Sequence, residues 1–178
     1  HNPERTRFGL LRVLNDDVID AGMGFGTHPH DNMEIVTIPL SGEVAHQDST
    51  GNKEVLKSGE VQIMSAGSGL THSEFNNSNK DPLSLLQIWV FPKEKDIKPR
   101  YDQKSFDVKE RENKFQTVVS PDNENEAMWI NQNAYFSLGN IDNDKSVTYE
   151  IKHAGNGAYI FIIEGSVEIE GEILSKRD

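Results

Sequence analysis

The feature that most constrains the fold is a regular alternation of short apolar segments and turn signals. Between residues 34 and 91 a turn signal recurs every eight to twelve residues, and no helical period persists. This rhythm indicates an all-β barrel or sandwich and argues against a parallel α/β architecture. The predicted strands are Glu34–Leu40, Glu43–Gln47, Lys53–Leu56, Val61–Met64 and Leu83–Phe91.

The flanking regions divide the chain further. Residues Phe8–Ala21 read as strand, turn and strand, with the turn at Asn15-Asp16-Asp17. Residues 92–113 are charged and loop-like, so we predict a domain boundary there, with one domain at 1–110 and a second at 111–178. The strands predicted for the second domain are Phe115–Val119, Ala134–Leu138, Val147–Ile151, Tyr159–Ile163 and Ser166–Glu170.

The second half weakly repeats the first. Aligning Gly165 with Gly42 places His153 opposite His30, but Ile151 stands opposite His28. A repeat that keeps only one of these two histidines should not hold a metal. We therefore expect the second unit to be a metal-free and incomplete copy of the first.

Two residue pairs carry the candidate chemistry. His28 and His30 have one residue between them, and so do His72 and Glu74. Because side chains on a strand alternate between faces, each pair points to one side. Three imidazoles and a carboxylate then form a ligand set for one divalent transition metal, with coordination positions left for water or substrate.

Glu34 is the competing carboxylate, because positions 28 and 34 also share a face in an ideal strand. However, Glu34 would lie about 13 Å from His30 at ~3.3 Å per residue. Glu74 is one strand repeat from His72 and needs no bend in the strand. We choose Glu74 as the ligand and keep Glu34 as a candidate to orient an imidazole N–H.

Composition narrows the function classes. The chain has 0 cysteines, which excludes disulfides, thiolate metal sites and a catalytic thiol. A net charge of -11 without a basic stripe argues against direct nucleic-acid binding. No apolar run reaches the roughly 18 residues that cross a membrane. We expect a cytoplasmic protein.

The remaining histidines and the large apolar residues have ordinary interpretations. His1, His46 and His153 are expected to be surface or hydrogen-bonded residues, and His46 lies near a predicted hairpin turn. Trp89 and Trp129 are expected to be core anchors. The side chains that flank the ligand pairs are expected in the barrel core, with a few lining an apolar pocket: Met23, Phe25, Met33, Met64 and Phe75.

The two ligand strings resemble the sequence motifs of the cupin superfamily, and most closely those of the pirin family. The segments that carry the resemblance are Gly24–His30, Ile63–Gly67 and Gln87–Trp89. The chain departs from the general cupin pattern at two points. Seven residues, rather than six, separate Glu34 from Gly42, and Ser65 occupies a position where many cupins have proline. The resemblance implies two tandem jelly-roll barrels (a bicupin), with metal in the first only. It also implies that Glu74, rather than Glu34, is the carboxylate ligand.

The resemblance further implies a function. It favours Fe(II), while the ligand set equally suits Ni(II), Cu(II), Mn(II) or Zn(II). The implied activity is that of a quercetinase, a dioxygenase that cleaves a flavonol with O2, with Glu74 as ligand and proton acceptor. The alternative is a non-catalytic, redox-sensing regulator that binds a protein partner. A third interpretation is a structural barrel whose histidines never meet a metal.

Overall fold

The computed structural model describes residues 7–122 and 126–178, so His1 lies outside the described residues. Within this part of the chain the fold is all-β. The described residues contain no α-helix, and a 3-10 turn is found at Val108–Arg111. None of the described helical residues forms a segment long and apolar enough to cross a membrane.

The first unit consists of two antiparallel sheets. Its strands are β1 Leu11–Ile19, β2 Gly24–His30, β3 Glu34–Ser41, β4 Glu43–Asp48, β5 Lys53–Lys57, β6 Glu60–Ser65, β7 Leu70–Asn76, β8 Leu83–Val90 and β9 Arg100–Ser105. Sheet I has the order β1-β8-β3-β6-β9, and sheet II has the order β2-β7-β4-β5. The side chain of Gln87 on sheet I reaches that of Glu74 on sheet II, so the two sheets enclose a common interior, as in a jelly roll.

Both faces of sheet I are covered. One face of β3 presents Ile35 and Thr37 to the barrel interior, and the other presents Val36 and Ile38 to the second half of the chain. Because both faces are buried, the strand sequence is nearly continuously apolar rather than alternating. The outer face forms a core with buried residues that include Val118 of the second half.

The second unit is smaller and does not close into a barrel within the described residues. Its strands are β10 Phe115–Ser120, β11 Met128–Trp129, β12 Phe136–Gly139, β13 Ser166–Ile169 and β14 Glu172–Ser175. The first three form one sheet in the order β11-β10-β12, and the last two form a hairpin. The division at residue 110 stays a prediction, with β9 and β10 lying on either side of it.

Three predictions of local structure were wrong. The turn at 15–17 is absent, because β1 pairs with β8 without interruption from Val13 to Ile19. The supposed loop at 92–113 contains β9, which pairs with β6. Segments 147–151 and 159–163 form no strands in the described structure. In each case, the presence or absence of a neighbouring strand to pair with outweighs the conformational preference of the local sequence.

The predictions for large apolar residues were partly right. Met33 and Met64 are buried in the barrel core, and Trp89 packs against the same cluster. In contrast, Met23, Phe25 and Phe75 are exposed. Trp129 is half-buried and lies under the guanidinium of Arg100.

Candidate metal centre

The pairing of β2 with β7 brings the two predicted pairs together. His28 lies directly opposite His72, and His30 lies opposite Leu70. A register shift between Phe25 and His28 gives β2 one extra residue relative to β7. A Cβ at Gly24 would overlap the backbone of Glu74 and Phe75, so only glycine allows the strands to approach this closely here.

Three imidazoles converge inside the barrel. Ring centroids are 4.4 Å apart for His28 and His72, and 4.9 Å apart for both His28–His30 and His30–His72. One donor nitrogen from each ring lies within 4.8 Å of the others. A divalent cation binds imidazole nitrogens at about 2.0–2.1 Å, so this spacing suits one shared ion.

The hydrogen bonding of these rings also fits a cation. His28 Nδ1 lies 2.8 Å from the carbonyl oxygen of Gly26. Because a carbonyl only accepts, Nδ1 carries the proton and Nε2 keeps its lone pair. Nε2 of His30 and both ring nitrogens of His72 are buried without a hydrogen-bond partner. Unpartnered buried nitrogens are costly, and a bound metal would satisfy them.

Glu74 lies at the same end of the interior but does not join the three-histidine set at 4.8 Å. Its Oε2 accepts a 2.6 Å hydrogen bond from Gln87 Nε2, and Trp89 Nε1 donates to Gln87 Oε1 at 3.1 Å. Its Oε1 is buried and unpartnered. The four-ligand set His28, His30, His72 and Glu74 therefore stays a prediction.

His46 is hydrogen-bonded, to Asp48, as the sequence predicted, but the sequence interpretation did not foresee its place in the barrel interior. It is 1% exposed, lies opposite Glu74 in the pairing of β4 with β7, and forms a second donor group with His72 and Glu74. The expectation of a residue near a turn overlooked that His46 and Asp48 are also separated by one residue. That spacing places both on the interior face of β4, as it does for the ligand pairs.

Glu34 does not orient an imidazole. Its Oε2 accepts hydrogen bonds from Ser65 Oγ at 2.8 Å and from the backbone N–H of Asn131 at 3.1 Å. Asn32, with φ 45°, separates β2 from β3, so positions 28 and 34 do not share one strand face. Glu34 instead lies on the face of β3 that meets the second half of the chain.

Burial controls the ionisation of the site. Desolvation, followed by the nearby His28, lowers the pKa of His30 to about 4, and desolvation with the neighbouring imidazoles lowers that of His72 to about 3. Burial raises the pKa of the Glu74 carboxyl, against the hydrogen bond from Gln87. For Asp48, burial acts upward, but hydrogen bonds from Asn52 and Thr50 bring the pKa down to about 2.

Two of the three histidines, His28 and His30, line a cavity of about 450 Å³. Arg12, Asp31 and Trp89 also line it. The Trp89 ring packs edge-on against His30, with centroids 4.9 Å apart, and the Arg12 guanidinium lies 5.8 Å from the Trp89 ring centroid. The imidazoles are therefore reached past an aromatic surface and a positive charge.

Comparison with known proteins identifies the family. Residues 1–90 match the family model described as Pirin, and residues 117–178 match one described as Quercetinase C-terminal cupin domain. The chain belongs to the pirin family.

Relatives in this family match the whole of this chain. A protein named quercetin 2,3-dioxygenase from Escherichia coli K12 is 44% identical over 100% of this chain and 75% of its own length. A pirin-like protein of Caulobacter vibrioides is 36% identical over 100% of this chain and 76% of its own length. The chain thus spans about three quarters of these relatives.

Two solved structures have a fold similar to that of this chain. The bacterial pirin YhhW of Escherichia coli, in complex with nickel(II), has a TM-score of 0.89 and 42% identity over 99% of this chain and 75% of that one. Another YhhW structure has a TM-score of 0.87 and 44% identity over 96% of this chain and 71% of that one. The predicted family and all-β cupin fold are confirmed. The donor set in this chain suits a divalent transition metal of unspecified identity.

Proposed function

We propose that this protein is a metal-dependent dioxygenase that cleaves a flavonol-like substrate with O2. The observation that carries the proposal is the three-imidazole set, two of whose members, His28 and His30, line the cavity beside Arg12 and Trp89. The relative named quercetin 2,3-dioxygenase supports the substrate class. In the overall reaction two ring C–C bonds break, both atoms of O2 enter the organic product, and one ring carbon leaves as carbon monoxide.

His28, His30, His72 and Glu74 are the proposed ligands, and we favour Fe(II) as the ion, with Ni(II), Cu(II), Mn(II) or Zn(II) as alternatives. The bound ion supplies Lewis acidity for a substrate oxygen and an attachment point for dioxygen. The nickel(II) complex of YhhW supports a site of this kind.

The chain's own residues position the substrate and move its proton. Glu74 Oε2 is held by Gln87, while Oε1 makes no hydrogen bond, so Oε1 is the oxygen that would hold the ion and take the proton of a substrate hydroxyl brought to that ion. The Trp89 ring offers an aromatic surface at the cavity wall. Arg12 places a positive charge where the deprotonated, anionic form of the substrate would enter.

The test is oxygen consumption with quercetin. Protein stripped of metal is reloaded in turn with Fe(II), Ni(II), Cu(II) and Mn(II), and O2 uptake and carbon monoxide release are measured together. We expect both at a one-to-one ratio and well above the rate of the free ion. Absence of turnover above free metal with every ion would overturn the proposal.

A non-catalytic regulator that binds a protein partner is the second candidate. The observation that favours it is the exposure of three large apolar residues expected in the core, Met23, Phe25 and Phe75. A pull-down with protein held as Fe(II) or as Fe(III) tests it. Recovery of one partner in one redox state, abolished by Phe75→Ser, is expected, and recovery of none in either state contradicts it.

A further inference from the structure

A second group of metal-capable side chains lies in the barrel interior. His46, His72 and Glu74 each offer one donor atom, and these atoms lie within 4.8 Å of one another. All three residues are almost fully buried, at 1%, 1% and 2% exposure. They lie on adjacent strands, since β4 places His46 opposite Glu74. None of these three residues lines the cavity to which His28 and His30 open.

The atoms in this group lack partners in the described structure. His46 Nδ1, both ring nitrogens of His72 and Glu74 Oε1 are buried and make no hydrogen bond. Both ends of the Gln62 side-chain amide, also on the interior face, are unpartnered as well. Because leaving buried polar atoms unpaired is unfavourable, so many together indicate that this space holds a polar occupant.

The hydrogen bond made by His46 leaves its other ring nitrogen available to bind a metal. His46 Nε2 lies 3.3 Å from Asp48 Oδ2. The other oxygen of Asp48 is fixed by the N–H and hydroxyl of Thr50 and by the N–H of Asn52. A carboxylate held in this way accepts the Nε2 proton, which leaves the lone pair on the buried Nδ1. Carboxylate, imidazole and metal are commonly arranged in this sequence around ligating histidines.

We propose that His46, His72 and Glu74 form a second, buried position for a divalent transition metal. His72 belongs to both donor groups, and a neutral imidazole offers one lone pair, so a single ion occupies one position or the other. An ion held by His46 is withdrawn from the substrate cavity. This inference rests on the metal centre of the proposed function, but not on any substrate.

The test removes the outer histidines and asks whether cobalt still binds. The His28→Ala/His30→Ala variant of the full chain is stripped of metal, titrated with Co(II), and analysed by elemental analysis and visible absorption. We expect one Co(II) per chain, bound about 10- to 100-fold more weakly than by the unsubstituted protein. Adding His46→Ala should abolish this binding, whereas the matched control His153→Ala should leave it unchanged.

The outcomes separate the two proposals. If the unsubstituted protein binds cobalt and the folded double variant binds none, the buried position is wrong and the outer centre stands. If adding His46→Ala to the double variant leaves binding unchanged, the buried position is also wrong. Failure of the unsubstituted protein to bind cobalt would overturn both. Circular dichroism verifies the fold of each variant.

A second measurement does not depend on the double variant. Electron paramagnetic resonance of the otherwise intact chain loaded with one Cu(II) should show two nitrogen-ligated signals, a main one and a minor one of about 1 to 10% of the copper, as the 10- to 100-fold difference in affinity requires. His46→Ala should reduce them to one. A single signal that His46→Ala does not alter would overturn the proposal.

Discussion

His28 and His72 face each other across the pairing of β2 with β7, with their ring centroids 4.4 Å apart. Two imidazoles this close cannot both be protonated without repulsion, and burial of His72 adds desolvation to that cost. His72 is therefore held in the neutral state in which imidazole binds metal. Since His72 also belongs to the group with His46, it is the residue shared by every donor set in the described structure.

Replacing His72 should remove metal binding altogether. His72→Ala takes one donor from each of the two groups, leaving two in each, and we expect loss of Co(II) or Ni(II) affinity by at least about 100-fold. Calorimetric titration and elemental analysis of the purified variant measure this. His153→Ala is the matched control, because His153 lies beside Tyr135 in the second unit and should leave metal binding unchanged. Full metal content in His72→Ala would contradict the assignment.

The stability of the metal-free protein should fall as the pH drops below 6.5. The unfolded chain binds protons at its histidines near pH 6.5, whereas folded His30 and His72 do so only near pH 4 and pH 3. Between those values the unfolded state binds more protons, so its free energy decreases relative to the folded state. Urea unfolding between pH 7 and pH 4 measures the slope. A His30→Gln/His72→Gln variant should show a shallower slope, and an equal slope would contradict the prediction.

The sequence predicted β3, β4, β5, β6 and β8 because turn signals separate short apolar segments, although β1 was divided by a false turn and β9 was taken for a loop. A period of two identified the pairs 28/30 and 72/74 as side chains that share a face. That period could not predict that Asn32 adopts a positive φ between β2 and β3. As a result, Glu34 faces the second half of the chain and not the barrel interior. The direction in which Glu34 points depends on how the chain passes from sheet II to sheet I, and the local sequence pattern does not predict that path.

The missed elements share a cause. β1 contains Asn15 and Asp17, which favour turns, yet its full length pairs with β8, where Asn15 lies opposite Gln87 and Asp17 opposite Leu85. Segment 159–163 favours a strand but has no pairing partner in the described structure. His46 was expected to be an ordinary residue near a turn, and its proximity to His72 and Glu74, which are distant in sequence, depends on the pairing of β4 with β7. Long-range pairing decides all three, and a single sequence reports it only weakly.

Gln87 should control the position of Glu74. Gln87→Leu has a similar size but cannot donate to Glu74 Oε2 or accept from Trp89 Nε1. Losing a hydrogen bond that orients a ligand typically lowers metal affinity or activity by about 10- to 100-fold. We expect weaker metal binding with an unchanged stoichiometry. Gln103→Leu, at an interior position of β9 that makes no hydrogen bond to Glu74, is the control. Equal metal affinities in the two variants would argue against this role.

Gly24 should be essential for the approach of β2 to β7. In Gly24→Ala the new methyl group would overlap the backbone of Glu74 and Phe75, neither of which can move without breaking the strand pairing. We expect a loss of about 2 kcal/mol or more in the free energy of unfolding. Gly26→Ala is the matched control, because nothing lies within 4 Å of its Cβ position. Urea denaturation of the two metal-free variants compares their stabilities. Similar unfolding midpoints would contradict the requirement for glycine at position 24.

Arg12 should bind the anionic form of the substrate rather than support the fold. Its guanidinium lies at the cavity wall beside His30 and over the Trp89 and Phe91 rings. Arg12→Met keeps the apolar stem but removes the charge, so we expect KM for quercetin to rise about 10-fold with a smaller change in kcat. Arg7→Met is the matched control, since Arg7 lies over the Phe91 ring but is not part of the cavity wall. The role also predicts that KM of the unsubstituted protein rises with ionic strength, as expected for a partly exposed charge. If both variants keep the original KM, the positive charge at the cavity has no part in substrate binding.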